Sequence, residues 1–388
     1  MATRVVPIPR GRRGLLLAEQ AARRSSRLTV ALLIPVGLLA VVGLGAILSA
    51  SSVYALESQQ DSLFYFKRQL MWLAAGVVGL AAAAALPVRW WRRLAFPFFV
   101  TTLLLLAAVQ LMGIRVSGSE RWLALGPVTL QPSEFAKLAT VLFLATLVSR
   151  REDSMHRFRH FFWPVAGSVG VVGILVMLQP DLGTTLLIAA GGFAVLVASA
   201  APLAYVLGGG AIGAAGAVAA ALLSPYRWER VVSFLDVNSD PLGSGYQAMQ
   251  SLVALGTGGL FGVGLGASRA RWSFLPNAHT DFIFAIVGEE TGLAGSLAVV
   301  LLFAVLTVAG ILTALHCSDR FGRLVAIGIT TWLVAQALVN IGGVTGVLPI
   351  TGVPLPFVSF GGSALLTEMV GVGILVAIVR QSPAPEAG

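Results

Sequence analysis

The sequence predicts an all-α, polytopic integral membrane protein of about ten transmembrane helices with both termini in the cytoplasm. Three observations predict it. Of 388 residues, 57% are apolar and only 11% are charged, against roughly a quarter charged in soluble domains. The apolar share supplies material for about ten spans at roughly 20 residues each. The apolar residues also gather into ten separate runs. Such a composition excludes disorder, collagen-like repeats and a disulfide scaffold. The lone Cys317 can close neither an intrachain disulfide nor a multi-cysteine zinc site.

Residues 1–27 form a basic tail that carries Arg4, Arg10, Arg12, Arg13, Arg23, Arg24 and Arg27. The first apolar run, from Leu28 to about Ala50, is too long for a signal-peptide core and lacks a convincing cleavage site, so it reads as a retained first span. Further runs fall at about 70–87, 95–112, 135–149, 163–180, 183–200, 203–223, 282–312, 324–345 and 361–379. They make residues 28–380 one membrane domain and leave 381–388 as a short tail.

An even number of spans puts both termini on one side, and that side collects 17 of the 26 basic residues, Arg89, Arg92, Arg93, Arg320, Arg323 and Arg380 among them. The positive-inside rule makes that side cytoplasmic. The acids show the reverse bias, with only Glu19, Glu152, Asp153, Asp319 and Glu386 on the cytoplasmic side. One long outer connection, 224–280, joins spans 7 and 8. Its glycine-rich apolar part, Tyr246 to Gly266, reads as an amphipathic or re-entrant segment. The Arg89-Trp-Trp-Arg-Arg93 run reads as an interfacial anchor, so no nucleic-acid partner is expected. His156, His160 and His316 read the same way.

Span 8 follows Leu275-Pro-Asn-Ala-His279-Thr-Asp281 and carries Glu289 and Glu290. Ionisable groups at or inside a membrane boundary are costly, which makes each a functional candidate. At about 100° and 1.5 Å per residue, Glu289 lies roughly 80° around the helix from Asp281 and about 12 Å deeper, so the two are expected to face one polar cavity. The plain alternative is that Asp281 only caps the helix. Span 4 opens Gln131-Pro-Ser-Glu134-Phe-Ala-Lys137, with Glu134 and Lys137 on one face. They form either a partly buried ion pair or a positive charge held at the outer surface to receive an anion, with Arg121 joining from Gly118 to Trp122. Asp181, in Gln179-Pro-Asp-Leu-Gly183, has ordinary turn chemistry.

His279 stands close enough to Asp281 to tune it or share a metal, but no second histidine or cysteine has ligand spacing. The last outer connection, Gly346 to Ser363, holds Pro349, Pro354 and Pro356. Non-helical backbone at membrane depth must line a covered site, which brings in Ser359, Gly361 and Gly362. No P-loop is present, and Gly262 to Gly266 lacks the strand-turn-helix setting of a dinucleotide site, so no organic cofactor is expected.

Together these segments resemble the SEDS family (shape, elongation, division and sporulation), the polytopic peptidoglycan polymerases of bacteria. The resemblance covers nearly all of 28–380 through Gly118 to Trp122, Gln131 to Lys137, Gln179 to Gly183, Gly245 to Gln250, His279 to Ala285 and Pro349 to Gly362, in family order. Gly245-Tyr-Gln followed by Gly262-Val-Gly-Leu-Gly266 is similar to the division-type branch rather than the elongation-type branch, which tends to carry a lysine between those glycines. Asn277, Glu120 and Phe360 depart from the residues common in the family, and Glu120 lowers the positive potential beside Arg121.

The resemblance implies a glycosyltransferase that joins lipid II units on the outer membrane face during septal wall synthesis and releases undecaprenyl pyrophosphate. It implies Asp281 as the essential aspartate and Glu134 with Lys137 as the paired acid and base of span 4. It also implies a class B penicillin-binding protein, the septal transpeptidase, as partner beside other division proteins, and a place in the cytoplasmic membrane at the septum.

The chemistry is consistent with that. A pyrophosphate leaving group needs no proton but does need cations, so one carboxylate base suffices beside Lys137, Arg121 or a bound Mg²⁺ or Mn²⁺. Asp281 is then expected to take the proton from the acceptor's 4-hydroxyl, a role worth about 10² to 10⁴ in rate, and is also a candidate metal ligand. Lys137, Arg121, Glu134, His279, Ser359, Gly361 and Gly362 are expected to bind substrate, with Asp181 and Glu289 in support. The alternatives are a lipid II flippase and an elongation-type polymerase.

Overall fold

The computed structural model describes residues 10–116, 119–126, 128–151, 158–224, 243–272 and 275–381, with Trp228, Val232, Phe234 and Asp236 between them. Gly118, Glu152, Asp153, His156, Glu386, much of the 224–280 connection and the ends of both tails lie outside these residues, as does the side chain of His160. In chain order the elements are α1 (Arg10–Gln59), α2 (Phe64–Ala85), α3 (Val88–Met112), β1 (Ile114–Val116), β2 (Ser119–Leu125), β3 (Val128–Leu130) and α4 (Pro132–Arg150). There follow α5 (Phe158–Met177), α6 (Leu182–Val197), α7 (Leu203–Leu222), α8 (Ser244–Gly258), α9 (Ile283–His316), α10 (Arg320–Val344) and α11 (Gly362–Gln381).

Eight of these helices are long and apolar enough to cross a membrane, and two shorter apolar helices, Pro164–Met177 and Leu182–Val197, fill the remaining expected runs. The protein is a multi-pass membrane protein. The fold is nearly all helical, as expected, and two details are added to it. A short antiparallel ladder of β1, β2 and β3 joins the helices, with Ile114 opposite Trp122 and Leu123 opposite Leu130. Part of the basic tail is also helical and continuous with span 1. Helix α1 already begins at Arg10 and runs through, with Glu19 and Arg23 paired at helical spacing on its exposed surface.

Lipid is as apolar as leucine, so these helices gain little by merely hiding apolar faces and instead bring small and polar residues inward. Helix α4 follows that rule: Ser133, Glu134, Lys137 and Thr140 are all buried. Helix α11 is the most enclosed span, packed on α2, α1, α4 and α10. Its Gly373 allows the close approach to α2, since a Cβ there would overlap the carbonyl of Leu80. Helix α7 buries only Val206 and lies at the edge, against α5 and α6.

The connection between α7 and α9 folds back against the spans. Helix α8 hydrogen-bonds the C-terminal end of α10 through Ser251 Oγ to Val344 O at 3.0 Å, and its last residue, Gly258, sits against Gly288 inside α9. Helix α9 breaks at Gly292 (φ 69°, ψ −164°). The chain after α8 satisfies the freed backbone groups: Val263 N donates to Glu289 O (3.0 Å) and Gly264 N to Glu290 O (3.1 Å), while Leu293 N and Ala294 N donate to Gly259 O and Leu260 O (2.9 and 3.1 Å). Irregular backbone at this depth is tolerable because each of these polar groups finds a partner.

Candidate functional site

Three amides and a carboxylate from the spans hold the proline-containing segment between α10 and α11. Gln336 Nε2 donates to Pro354 O (3.0 Å), Asn340 Nδ2 to Val353 O (2.8 Å) and Gln69 Nε2 to Ser359 O (3.2 Å). Glu368 accepts from Phe357 N at 2.9 Å. That last bond helps keep Phe357 at φ 63°, a conformation that costs a bulky residue energy and persists only where its surroundings impose it.

The same segment seats the loop of Asp281. Ser359 Oγ accepts from Leu355 N (2.8 Å) and donates to Thr280 O (2.6 Å), and Phe360 N donates to His279 O (3.0 Å). Asn340 Nδ2 completes the seat by donating to Asp281 O at 2.8 Å. Asp281 then lines a small crevice with Asn340, Gly343, Ile350, Thr351 and Val353 at the C-terminal end of α10. Asn340 is 5% exposed, and its Oδ1 is buried with no hydrogen-bond partner among the described residues.

Below this lies a charged cluster. Lys137 Nζ and Glu134 Oε2 pair at 2.7 Å, with side chains 1% and 3% exposed. Lys137 also donates to Gln336 Oε1 (2.7 Å) and lies 5.2 Å from the Trp332 ring centroid. Gln336 Nε2 donates onward to Glu368 Oε1 at 2.8 Å. The Glu134–Lys137 ion pair thus adjoins a hydrogen-bonded chain through Gln336 and Glu368 that ends on the proline-containing segment. Ion pairs of this kind owe their existence to geometry, because each partner alone pays a large desolvation penalty.

Several expectations are corrected here. Lys137 is not held at the outer surface to receive an anion; it is enclosed by Glu134, Gln336 and Trp332. Arg121 turns its guanidinium to the α5–α6 turn, donating to Gln179 O (2.8 Å) and Pro180 O (2.6 Å) and approaching Asp181 Oδ2 at 3.6 Å. Asp181 in turn caps α6, accepting from Thr184 N and Thr184 Oγ1. Asp281 and Glu289 do not share a cavity. Asp281 precedes the N-cap residue Phe282 and lies in a turn, so helical spacing does not relate the two, and Glu289 is filled by Ser268 Oγ, Arg269 N and Ala270 N. Nor do Ser359, Gly361 and Gly362 face the cleft as ligands. Both hydrogen-bonding functions of the Ser359 hydroxyl serve the loop, Gly361 N reaches Gln69 Oε1 at 3.4 Å, and Gly362 is required because a Cβ would overlap Trp72.

His279 stands among Tyr54, Tyr65 and Phe360, at 5.7, 4.7 and 5.9 Å between ring centroids. Burial pushes its imidazole down to about 4, so it is neutral at pH 7. Among the described residues no three His, Cys, Asp or Glu side chains form a metal cluster. Asn340, Gln336 and Gln69 were missed in the sequence, where attention fell on charged groups. Their signal was present: an uncharged amide inside an apolar run must find partners there.

Residues 29–383 match the model of the FtsW/RodA/SpoVE family, described as cell cycle proteins. The chain belongs to the FtsW/RodA/SpoVE family. Within that family it is 41% identical to the stage V sporulation protein E of Bacillus subtilis over 347 residues, 89% of this chain and 95% of that one. It is 40% identical to a probable peptidoglycan glycosyltransferase FtsW of Aeromonas salmonicida over 353 residues, 89% of each. Among solved structures it matches the rod shape determining protein RodA of Thermus thermophilus with a TM-score of 0.68 at 28% identity, covering 91% of this chain and 97% of that one. It also matches a chain of a peptidoglycan synthase complex described as coordinating polymerization and crosslinking, with a TM-score of 0.73 at 30% identity, covering 90% and 97%.

Proposed function

We propose that this protein is a peptidoglycan glycosyltransferase of the division-type branch, which joins lipid II units on the outer membrane face. The observation that carries the reading is Asp281, which lines a small crevice; Asn340 fixes its peptide, and Ser359 and Phe360 fix the neighbouring Thr280 and His279. FtsW-named relatives at 36–40% identity support the activity. A septal location rests on those same names.

In the reaction, the Asp281 carboxylate accepts the proton of the acceptor sugar's 4-hydroxyl. The oxygen so freed bonds to the donor's anomeric carbon with inversion, the bond from that carbon to phosphate oxygen breaks, and undecaprenyl pyrophosphate leaves with the electron pair. The lipid tails stay in the bilayer beside the spans, which accounts for a polymerase embedded in the membrane. A divalent cation would have the Asp281 carboxylate as an oxygen donor, and Mg²⁺ is commonly bound by one or two carboxylates plus substrate phosphates. Bound there, Mg²⁺ or Mn²⁺ would neutralise charge growing on the diphosphate. With Lys137 enclosed and Arg121 committed to the 179–181 turn, these two act by holding structure rather than by touching the substrate.

The fold match to a chain of a peptidoglycan synthase complex supports a penicillin-binding protein of class B as the working partner. The test is the purified full chain with such a partner in liposomes, supplied with lipid II and Mg²⁺. Glycan polymer forms with the parent protein and not with Asp281→Asn. Polymer that persists unchanged in Asp281→Asn eliminates the mechanism, and precursor crossing the bilayer with no polymer made assigns a flippase instead.

A further inference from the structure

A second cleft, of about 240 Å³, opens on the opposite face, where the arginine count places the cytoplasm. Its walls are the start of α3, the turn between α9 and α10, and the end of α11: Val88, Arg89, Arg92, Asp319, Ile378 and Gln381. Arg92 pairs with Asp319 at 2.7 Å and lies 5.0 Å from the Phe321 ring centroid, yet its Nε is buried with no hydrogen-bond partner among the described residues. Arg89 is exposed beside it. Gln381 Oε1 accepts from Val88 N at 2.8 Å and so ties two helix ends together across the cleft. The site therefore offers two guanidinium groups against one carboxylate.

The surroundings say what anion would come. Trp90 and Trp91 follow Arg89 directly, and indoles favour the headgroup level of a bilayer. Val88 and Ile378 supply apolar wall where acyl chains begin. Ser25 Oγ to Val379 O (3.3 Å) brings α1, with Arg24 and Arg27, alongside the end of α11. Basic pockets between spans on the cytoplasmic side are suited to anionic lipid headgroups. We propose that this cleft binds the phosphate of an anionic phospholipid from the adjoining leaflet, through Arg89 and Arg92, with Asp319 as the competing internal anion. The inference concerns the face opposite Asp281 and does not depend on the reaction performed there.

Native mass spectrometry of the full chain, released from micelles containing phosphatidylglycerol, reads the bound lipid. One tightly held phosphatidylglycerol is expected, with chain-matched phosphatidylcholine held less tightly. Arg89→Gln weakens binding about tenfold, the size of a lost charge-assisted hydrogen bond. Asp319→Asn tightens it, because asparagine still caps α10, where Asp319 Oδ2 now accepts from Gly322 N, while the competing charge is gone. Arg269→Gln, on the outer face, leaves it unchanged. Equal retention of phosphatidylcholine, displacement of lipid by inorganic phosphate at equal concentration, or identical binding by the Arg89 and Asp319 variants would each overturn the proposal. Arg89 makes no structural bond among the described residues, so its substitution tests binding rather than folding.

Discussion

Asn340 and Asp281 are 59 residues apart in sequence, and the amide of one holds the peptide of the other: Asn340 Nδ2 lies 2.8 Å from Asp281 O and, with its second hydrogen, 2.8 Å from Val353 O. One buried side chain thereby joins the Asp281 loop, the proline-containing segment and helix α10.

Replacing Asn340 by leucine keeps the volume and removes both bonds. The Asp281 loop would then be placed by Ser359 and Phe360 alone. Small misplacements of reacting groups cost about 10²-fold in rate, so kcat for lipid II polymerisation is expected to fall by that order with KM little changed. A matching loss of thermal stability with unchanged kcat would show that Asn340 is only structural support.

Lys137 is, among the described residues, the one cation in a buried cluster with Glu134 and Glu368. Lys137→Met leaves their carboxylates without compensating charge, a change that typically costs about 3–5 kcal/mol. Adding Glu134→Gln should recover much of it, since the pair is then removed together. Thermal unfolding of the two single variants and the double variant, in one detergent, measures the coupling; purely additive effects would argue against a working ion pair.

The sequence shows the spans plainly because about 20 apolar residues with few charges have no other stable use. It draws attention to Asp281 for a related reason: a charge at a membrane boundary is costly, which makes it a functional candidate by default. What it concealed was direction. Glu134 and Lys137 stand three apart whether they face water or the bundle, and only the packing of Trp332 and Gln336 against Lys137 decides. Helical spacing also failed at Asp281, because α9 begins after it. The role of Glu289 depended on residues 268–270, which return from a re-entrant turn that no local pattern positions.

His279 gives a pH prediction. Its imidazole titrates at about 4 when folded and near 6.5 when unfolded. Between those values the unfolded chain binds the extra proton, so stability is complete above pH 6.5 and is lost as the pH falls toward 4. The slope approaches about 1.4 kcal/mol per pH unit. His279→Phe, which keeps the ring among Tyr54, Tyr65 and Phe360, should flatten the difference between melting temperatures at pH 7 and pH 5. An unchanged pH profile in that variant would place the acid sensitivity elsewhere.

Gly262 tests the re-entrant turn. It has φ 80°, and a Cβ there would overlap the carbonyl of Glu290, where α9 is about to break. Gly266 has nearly the same φ, 75°, but its Cβ would meet nothing closer than Arg271 NH1 at 4.0 Å. Alanine pays the backbone penalty at both positions, commonly about 1–2 kcal/mol, and the overlap only at Gly262. Gly262→Ala is therefore expected to lower the melting temperature more than Gly266→Ala. It should also increase hydrogen exchange at Val263 and Gly264, whose amides donate to the carbonyls of Glu289 and Glu290. Equal losses at the two glycines would mean that residues 259–266 do not pack against the broken helix, and Glu289 would then be open to a partner other than Ser268.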